Sequence, residues 1–280
     1  MIDIIIPVYN TPYADLERCL KSVENQTYKD YKVYIIDDGS KESTKKQLDS
    51  YIAGKTNFTV KHIANAGVSN ARNLGIEVSN SKYLTFLDAD DTIEENFLEE
   101  AFHLIEDYNL DLIIGGYHEI KNGEIVRTRT CTPGLHLYNH LNLEQFFEKL
   151  LSSKTNETNR VIGDCPTGRI YTRLFRRDSI GPLRFNTDIK MSEDTLFMID
   201  YMYNNPTIGI IDRVWYNYYI NDYSISNGTK KEKLITNIKG FIKEIEKRYK
   251  KEKNDTIKDA YLSRVKKANN YIEEIKNTNS

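Results

Sequence analysis

The sequence predicts an α/β fold, with a Rossmann-like, mainly parallel sheet flanked by helices. Short apolar segments alternate with segments of helical periodicity over the first third of the 280-residue chain. The apolar segments do not alternate strictly with polar residues, which indicates strands covered on both faces. Acidic clusters directly follow several of them, at the sheet edge where such folds bind ligands.

The predicted elements follow in β-α order. IDIIIPV precedes a helical stripe that begins at Leu16, and YKVYIID precedes KESTKKQLDSYI. FTVKHI precedes a helix predicted from about Val68 to Val78, and KYLTFLD is the next strand. A helix through NFLEEAFHLIEDY and a strand at DLIIGGYHEI continue the pattern.

The second half is less regular. We predict a helix at LEQFFEKLL, no motif between residues 121 and 166, and mixed strands and helices up to residue 228. The tail, residues 229–280, carries two apolar stripes that predict a helical hairpin. The stripes are Leu234, Ile238, Phe241, Ile245 and Tyr249, and then Ile257, Tyr261, Val265, Ala268, Ile272 and Ile275.

Charge and cysteine content exclude several classes of protein. The net charge of −2 argues against a general nucleic-acid-binding protein, although 15 Lys and Arg against 8 Asp and Glu make the chain basic from Lys230 onward. Cys19, Cys131 and Cys165 are too few and too widely spaced for a disulfide framework or a zinc site. No stretch predicts a signal peptide or a membrane span. We expect a cytoplasmic protein with reduced thiols.

FLDADD, residues 86–91, places three carboxylates behind an apolar strand. On an extended segment Asp88 and Asp90 share a face about 7 Å apart, and two hard oxygen ligands suit Mg²⁺ or Mn²⁺. The alternative is an acidic turn in which Asp88 or Asp91 caps a helix that starts near Thr92.

Three further segments carry candidate site residues. In IIDDGS, an ionised acid can accept hydrogen bonds from a nucleoside, or the segment is a turn with a serine cap. In NAGVSNARNLGI, Arg72 either contacts an anion or is an exposed helix arginine. Glu193 and Asp194 are candidate acids, or the first turn of a helix capped by Ser192.

Taken in order, IIIPVYN, IIDDGS, NAGVSNARNLGI and YLTFLDADD resemble the family 2 glycosyltransferases of the GT-A fold, including bacterial enzymes of polysaccharide and glycoconjugate synthesis. TRLFRRDSIGPLRFNTDIKMSEDTLF is similar to the family's acceptor-side segment, and YNYYINDYSIS to its Tyr-rich stretch. The resemblance implies a catalytic domain over residues 1–228, divided into a nucleotide-sugar half (1–120) and an acceptor-side half (121–228), followed by the basic tail.

The resemblance also implies roles for individual residues. Pro7, Tyr9 and Asp38, or Asp37, border the nucleoside, with one of these acids recognising a uracil ring. Arg72 lies near the nucleotide, Asp88 lies by the ribose and metal, and Asp90 is the direct ligand of Mn²⁺ or Mg²⁺ on the donor diphosphate.

On the acceptor side, Asp194 is implied to be the general base of an inverting displacement, which a positioned carboxylate can serve. Glu193 supports the site or approaches the metal. The expected partners are a UDP-sugar donor and a hydroxyl of a glycan, glycoprotein or glycolipid.

The sequence departs from the family pattern at the Tyr-rich stretch. Tyr219, Ile220 and Asn221 stand where family members often carry an Arg or His near the leaving phosphates. Arg173, Arg176 or a tail lysine is expected to compensate.

Other interpretations stay open. A catalytically silent sugar-nucleotide-binding subunit fits the same motifs, whereas a metal-dependent nucleotidyltransferase needs a Gly-rich basic loop that PVYNTPYADL lacks. The tail packs on the catalytic domain or on itself, pairs between subunits of a homo-oligomer, or contacts the inner face of the membrane through its lysines.

Overall fold

The computed structural model describes residues 1–151, 168–221 and 231–277. The strands are β1 (Ile2–Val8), β2 (Tyr31–Asp38), β3 (Phe58–Ile63), β4 (Tyr83–Phe86), β5 (Thr92–Ile93), β6 (Leu112–Lys121), β7 (Glu124–Arg129), β8 (Leu135–Tyr138), β9 (Arg173–Arg176) and β10 (Ile208–Tyr219). The helices are α1 (Tyr13–Glu24), α2 (Glu42–Ile52), α3 (Val68–Val78), α4 (Phe97–Asp107), α5 (Leu143–Leu151), α6 (Arg177–Ile180), α7 (Glu193–Met202), α8 (Lys231–Lys251) and α9 (Asp255–Asn277).

One mixed sheet organises these elements, in the order β3-β2-β1-β4-β9-β6-β10-β5. Strands β1 to β4 pair in parallel, as the β-α repetition predicts. The other half is mixed, because β9 runs antiparallel to both β4 and β6 whereas β6 and β10 are parallel. Strand β7 pairs with β6, and β8 with β10. The α/β fold class is confirmed.

Two apolar cores lie on opposite faces of the sheet, because successive side chains of a strand point to opposite sides. Ile4 and Ile6 of β1 pack with α1 and α4, while Ile5 packs with α3, α5 and α7. Each face is therefore closed by helices, and the carboxyl ends of β1, β2 and β4 remain as an edge on which a site can be built.

The tail forms the two predicted helices, α8 and α9, which pack against each other and against the body of the chain. Phe241, Ile245, Ile257 and Tyr261 join the core that contains Ile5. The remaining apolar tail positions form a third, smaller cluster between α8 and α9. Both apolar stripes are thus covered within the chain itself.

Several expectations about individual segments have a definite outcome. The helix at residues 68–78 and the helix at LEQFFEKLL are confirmed, whereas strands β7 and β8 lie in the stretch where no motif was assigned. Cys19 and Cys131 are buried free thiols, while Cys165 and the end of the Tyr-rich stretch lie outside the described residues. No helix within residues 1–151, 168–221 and 231–277 combines the length and apolar character needed to cross a bilayer.

Candidate active site

The loops after β1 and β2 are tied together at the carboxyl edge of the sheet. The backbone N–H of Asn10 donates to Ser40 Oγ at 2.8 Å, and the Asn10 side-chain oxygen accepts from the Lys41 N–H at 2.8 Å. Asn10 has a φ of 51°, a left-handed conformation that asparagine tolerates better than most residues. Pro7 and Tyr9 therefore lie beside IIDDGS, and Tyr9 is 54% exposed.

Asp38 fixes the loop that leads into α3. Its carboxylate accepts from the N–H of Ala66 at 2.7 Å and of Gly67 at 2.8 Å. Gly39 has a φ of 75°, and a β-carbon there would lie 2.6 Å from the backbone nitrogen of Asn65. Glycine is needed at this position both for its conformation and for the close approach of the two loops.

Asp37 is fully buried and stabilises the end of β2. Its carboxylate accepts from the Ser40 N–H at 3.0 Å and contacts His62 Nδ1 at 2.7 Å. Both acids of IIDDGS are therefore engaged by the chain, although a carboxylate oxygen can accept more than one hydrogen bond.

Arg72 joins the two sides of the site. Its guanidinium donates to Asp88 at 2.8 Å and to Glu193 at 2.9 Å, and only 4% of the residue is exposed. Burial opposes the charged form, but the charges of Asp88 and Glu193 outweigh it and raise the pKa of Arg72. The interpretation of Arg72 as an exposed helix arginine is wrong.

The acidic segment after β4 is a turn rather than an extended strand. The Asp91 N–H donates to the Asp88 carbonyl at 3.1 Å, so the two-residue spacing of Asp88 and Asp90 is not that of a strand. Residues 92 and 93 form β5 instead of a helix, and α4 begins at Phe97. The expectation that Asp88 or Asp91 caps a helix near Thr92 is therefore wrong.

Asp91 is a site residue to which the sequence assigned only a capping role. Its carboxylate accepts from the Tyr216 hydroxyl at 2.6 Å and from the Tyr219 N–H at 2.8 Å. It thereby anchors the Tyr-rich end of β10 beside the acidic turn. Burial, and then the charges of Asp90 and Asp88, raise the pKa of Asp91 well above its ordinary value. The only sequence feature that could have indicated a site role for Asp91 was its place as the third acid in FLDADD.

Asp90 faces the end of β10. Asn221 approaches its carboxylate at 3.4 Å, and Arg18 holds its backbone carbonyl at 2.7 Å. Burial and the nearby charge of Asp88 raise the pKa of Asp90. A buried carboxylate beside a second acid is a position that a cation stabilises.

Asp88 and Asp90 can supply only part of the ligands that a divalent ion needs. Across the three described ranges, no three or more His, Cys, Asp or Glu side chains are grouped so that they could hold a metal. Asp88 and Asp90 suit Mg²⁺ or Mn²⁺ that takes its other ligands from phosphates and water, since these ions bind through one or two carboxylates.

The second acidic pair lies at the start of α7. Glu193 is the first helical residue and is 14% exposed, while Asp194 accepts from the Thr195 N–H at 2.7 Å. Burial and the charge of Asp194 raise the pKa of Glu193, against the effect of Arg72. Ser192 occupies the cap position in a left-handed conformation, with a φ of 60°, and makes no side-chain cap bond.

Two arginines that the sequence did not single out interact electrostatically with Asp194. Tyr171, and then the charge of Asp194, raise the pKa of Arg169 against the effect of burial. Burial lowers the pKa of Arg264 in α9, although the charge of Asp194 opposes this shift. Arg176 is not the compensating cation, because it binds Leu110 and Tyr83 at the amino end of β4. Arg173 is buried and donates to the Tyr171 carbonyl at 2.9 Å. No local signal marks Arg264, whose placement depends on how α9 packs.

Comparison with known proteins places this geometry in a family. The family model described as Glycosyl transferase family 2 matches residues 3–180. Glycosyltransferase GlyA of Streptococcus pneumoniae is 29% identical over 202 residues, which are 69% of this chain and 27% of GlyA. Poly(ribitol-phosphate) beta-N-acetylglucosaminyltransferase TarP of Staphylococcus aureus is 30% identical over 234 residues, covering 81% of this chain and 64% of TarP. The chain thus spans less than two thirds of the length of either relative.

Solved structures agree on the fold. The 1–349 fragment of S. aureus TarS in complex with UDP-GlcNAc superposes with a TM-score of 0.68 at 20% identity, covering 87% of this chain and 66% of that fragment. This likeness confirms the GT-A fold. The family model matches well over half of the residues and contains the motifs described above. The chain therefore belongs to glycosyltransferase family 2.

Proposed function

We propose that this chain is an inverting glycosyltransferase that moves a sugar from a nucleotide diphosphate donor to an acceptor hydroxyl. The observation that carries the proposal is the bridge from Asp88 through Arg72 to Glu193. It links the acidic turn behind β4, where a donor diphosphate is expected, to the helix that begins with Glu193 and Asp194. Donor-binding and acid–base groups thus belong to one connected network.

The donor is a UDP-sugar in this proposal. Pro7 and the exposed ring of Tyr9 lie beside Asp37 and Asp38, whose remaining acceptor capacity suits the N–H of a uracil ring. The TarS fragments in complex with UDP and with UDP-GlcNAc support this choice, and they favour a hexosyl or N-acetylhexosaminyl donor.

Mn²⁺ or Mg²⁺ would be held by Asp90, with Asp88 beside it, and would supply positive charge that neutralises the diphosphate of the donor. Arg72 orients Asp88 through their hydrogen bond, and Asp91 holds the end of β10 beside the turn. These roles are performed by side chains of the chain itself, before a donor arrives.

Asp194 acts as the general base. Its carboxylate takes the proton from the acceptor hydroxyl as that oxygen attacks the anomeric carbon, and the nucleotide diphosphate leaves from the opposite side, which inverts the configuration. The hydrogen bond from the Thr195 N–H fixes the carboxylate at one oxygen and leaves the other for the acceptor.

The acceptor is a hydroxyl on a glycan, glycoprotein or glycolipid, in a pathway of polysaccharide synthesis. TarP, a poly(ribitol-phosphate) beta-N-acetylglucosaminyltransferase, supports a bacterial glycoconjugate acceptor. Four expectations stay predictions. They are the catalytic domain of residues 1–228, a cytoplasmic location, a homo-oligomer and a membrane contact of the tail.

The test is a panel of nucleotide sugars with Mn²⁺, measured as free nucleotide released by the purified chain. We expect release of UDP from one UDP-sugar well above the rate without protein, because many transferases hydrolyse the donor slowly with water as acceptor. Tight UDP binding without release from any sugar, with or without candidate acceptors, would instead favour the silent-subunit interpretation. Release of pyrophosphate from a nucleoside triphosphate would favour a nucleotidyltransferase.

A further inference from the structure

Four basic side chains form a series of neighbouring charges that starts at Asp194. They are Lys149 of α5, Arg169 just before β9, and Arg264 and Lys267 of α9, and we call them the basic cluster. Asp194 interacts electrostatically with Arg169 and Arg264, and Lys267 interacts with Arg264 and Lys149. They come from three separate parts of the sequence, and none belongs to a motif that predicted the site. Two of the four lie in the tail.

Gly168 brings two of these parts together. Its carbonyl accepts from the Thr195 hydroxyl at 3.2 Å, so Arg169 follows a residue bound to the neighbour of Asp194. A β-carbon on Gly168 would lie 3.6 Å from Leu150, the residue after Lys149. The segment around Gly168 is therefore packed between α5 and α7.

Helix α9 completes the cluster by packing on α5. The rings of Tyr261 and Phe147 are 6.3 Å apart in an edge-to-face contact, and Arg264 lies one turn after Tyr261. The guanidinium of Arg264 stands 5.4 Å from the centre of the Phe241 ring of α8. Lys267 follows one further turn along the same side of α9, since residues three apart are neighbours on a helix.

The cluster carries charge that the described part of the chain does not neutralise. Within those residues none of its members forms an ion pair, and Nε of Arg264 is buried without a hydrogen-bond partner. Burial lowers the pKa of Arg264, and the charge of Arg169 adds to this effect. Burial and the charges of Arg264 and Lys149 lower the pKa of Lys267.

Other cations of the tail differ from the cluster. Arg248 binds Asp200 of α7, Lys258 pairs with Asp255, and Lys276 pairs with Glu273. Lys250 and Lys251, which form no ion pair within the described residues, are exposed to solvent, whereas Nε of Arg264 is buried. The basic cluster therefore places positive charge close to Asp194, the proposed general base. Its other members extend from there along α5 and α9.

We propose that the basic cluster binds an anionic acceptor, a chain whose phosphate or carboxylate groups lie near the hydroxyl that receives the sugar. The inference rests on the proposed function, because it takes Asp194 as the point of attack. The donor diphosphate is not the expected ligand, since the cluster is built where α9 and the segment around Gly168 pack on α5, whereas Arg72 donates to Asp88 at the acidic turn. Helix α9 is then part of the acceptor site.

Binding of soluble polyanions tests the proposal directly. Fluorescence titrations would use inorganic polyphosphate as the phosphate probe, polygalacturonate as the carboxylate probe, and dextran as the neutral control. We expect the wild type to bind at least one polyanion and not dextran, with an affinity that falls as salt is added. The preferred probe identifies which anionic group the acceptor carries.

The decisive variant is Arg264→Gln/Lys267→Gln, compared with Lys250→Gln/Lys251→Gln at the exposed end of α8. Both lose two positive charges, so a general effect of net charge is the same in each. We expect the α9 variant to weaken polyanion binding by about tenfold, or about 1.4 kcal/mol, and the α8 variant to have little effect. Lys149→Gln/Lys267→Gln provides a second test if replacement of Arg264 disturbs folding, as judged by circular dichroism.

Three outcomes would overturn the proposal. The first is equal polyanion affinity in the α9 and α8 variants, or no polyanion binding by the wild type. The second is a parallel loss of UDP affinity in the α9 variant, which would assign the cluster to the donor. The third is binding to phosphatidylglycerol vesicles through the cluster without binding to soluble polyanions. UDP binding by the wild type tests the proposed donor separately, so the two failures are distinguishable.

Discussion

The donor side and the acceptor side of this site differ in how their charges are balanced. On the donor side, the acids at the strand ends have partners supplied by the chain: backbone N–H groups for Asp38, His62 for Asp37 and Arg72 for Asp88. On the acceptor side, the basic cluster has no ion-pair partner within the described residues. Under the proposed function, the donor side is organised before its ligand binds, whereas the acceptor side would receive opposite charge from its ligand.

The two sides also differ in the sequence separation of their contacts. Asp38 and Gly67 are 29 residues apart, and Arg72 and Asp88 are 16 apart. The bridge from Arg72 to Glu193 spans 121 residues, and the bond from Tyr216 to Asp91 spans 125. Contacts within the loops behind β2 and β4 thus come from consecutive β-α units, while the contacts that join these loops to α7 and β10 depend on the packing of distant elements.

The largest effect is expected for Asp194→Asn. An amide cannot take the proton from the acceptor hydroxyl. We therefore expect the rate of sugar transfer to fall by roughly two to four orders of magnitude, the usual contribution of a general base. UDP affinity, measured by calorimetry, should stay unchanged because Asp194 lies on the acceptor side. The exposed Asp178→Asn is the matched control. Turnover of Asp194→Asn equal to wild type would remove Asp194 from the mechanism and direct attention to Glu193 or Asp188.

Asp90→Asn should affect the donor side selectively. An amide supplies neither the charge nor the ligand strength that Mn²⁺ requires, so we expect UDP affinity in the presence of Mn²⁺ to fall by about tenfold or more. Calorimetry with and without Mn²⁺ separates metal-dependent binding from the rest. Asp107→Asn, at the exposed end of α4, should match wild type. Metal-dependent binding that survives in Asp90→Asn would leave Asp90 as a turn residue.

The difference between the sides also explains how much could be predicted. The alternation of strands and helices in the first third of the chain and the acidic segments behind its strands follow from local patterns, because each motif directly follows a strand or begins a helix. The sequence left the segment at residues 88–91 open between an extended strand end and a turn, since a pair of acids two apart is compatible with both, and the structure has the turn without the predicted helix cap. The approach of Arg264 to Asp194 could not be predicted, because it depends on the packing of α9 against α5.

Arg72→Met tests whether the bridge stabilises the fold as well as the site. The substitution leaves Asp88 and Glu193 without their shared partner, and they are 29% and 14% exposed, so solvent compensates them only in part. We expect the free energy of unfolding in urea to fall by about 2 kcal/mol. UDP affinity should fall as well, because Asp88 loses its orientation. Arg127→Met on the exposed strand β7 should change neither quantity, and a similar loss there would show a general effect of removing an arginine.

The smallest effect is expected from His62, which links Asp37 at the end of β2 to Asp49 of α2. Burial lowers the pKa of His62, but the hydrogen bonds with Asp37 and Asp49 outweigh it, and the net shift is upward. Because the folded pKa lies above the unfolded value of about 6.5, the stabilisation is fully present below that pH and is lost as the pH rises through the folded pKa.

We therefore expect His62→Gln to lower the free energy of unfolding at pH 5.5 and to match wild type more closely at pH 9. The difference should stay below about 1 kcal/mol, because His62 is 31% exposed and Asp49 is 64% exposed, so water screens the pair. His103→Gln on the exposed side of α4 is the control and should show no such pH dependence. A constant difference between wild type and His62→Gln from pH 5.5 to 9 would mean that His62 stabilises the end of β2 by packing alone. The donor side would then not depend on a histidine charge.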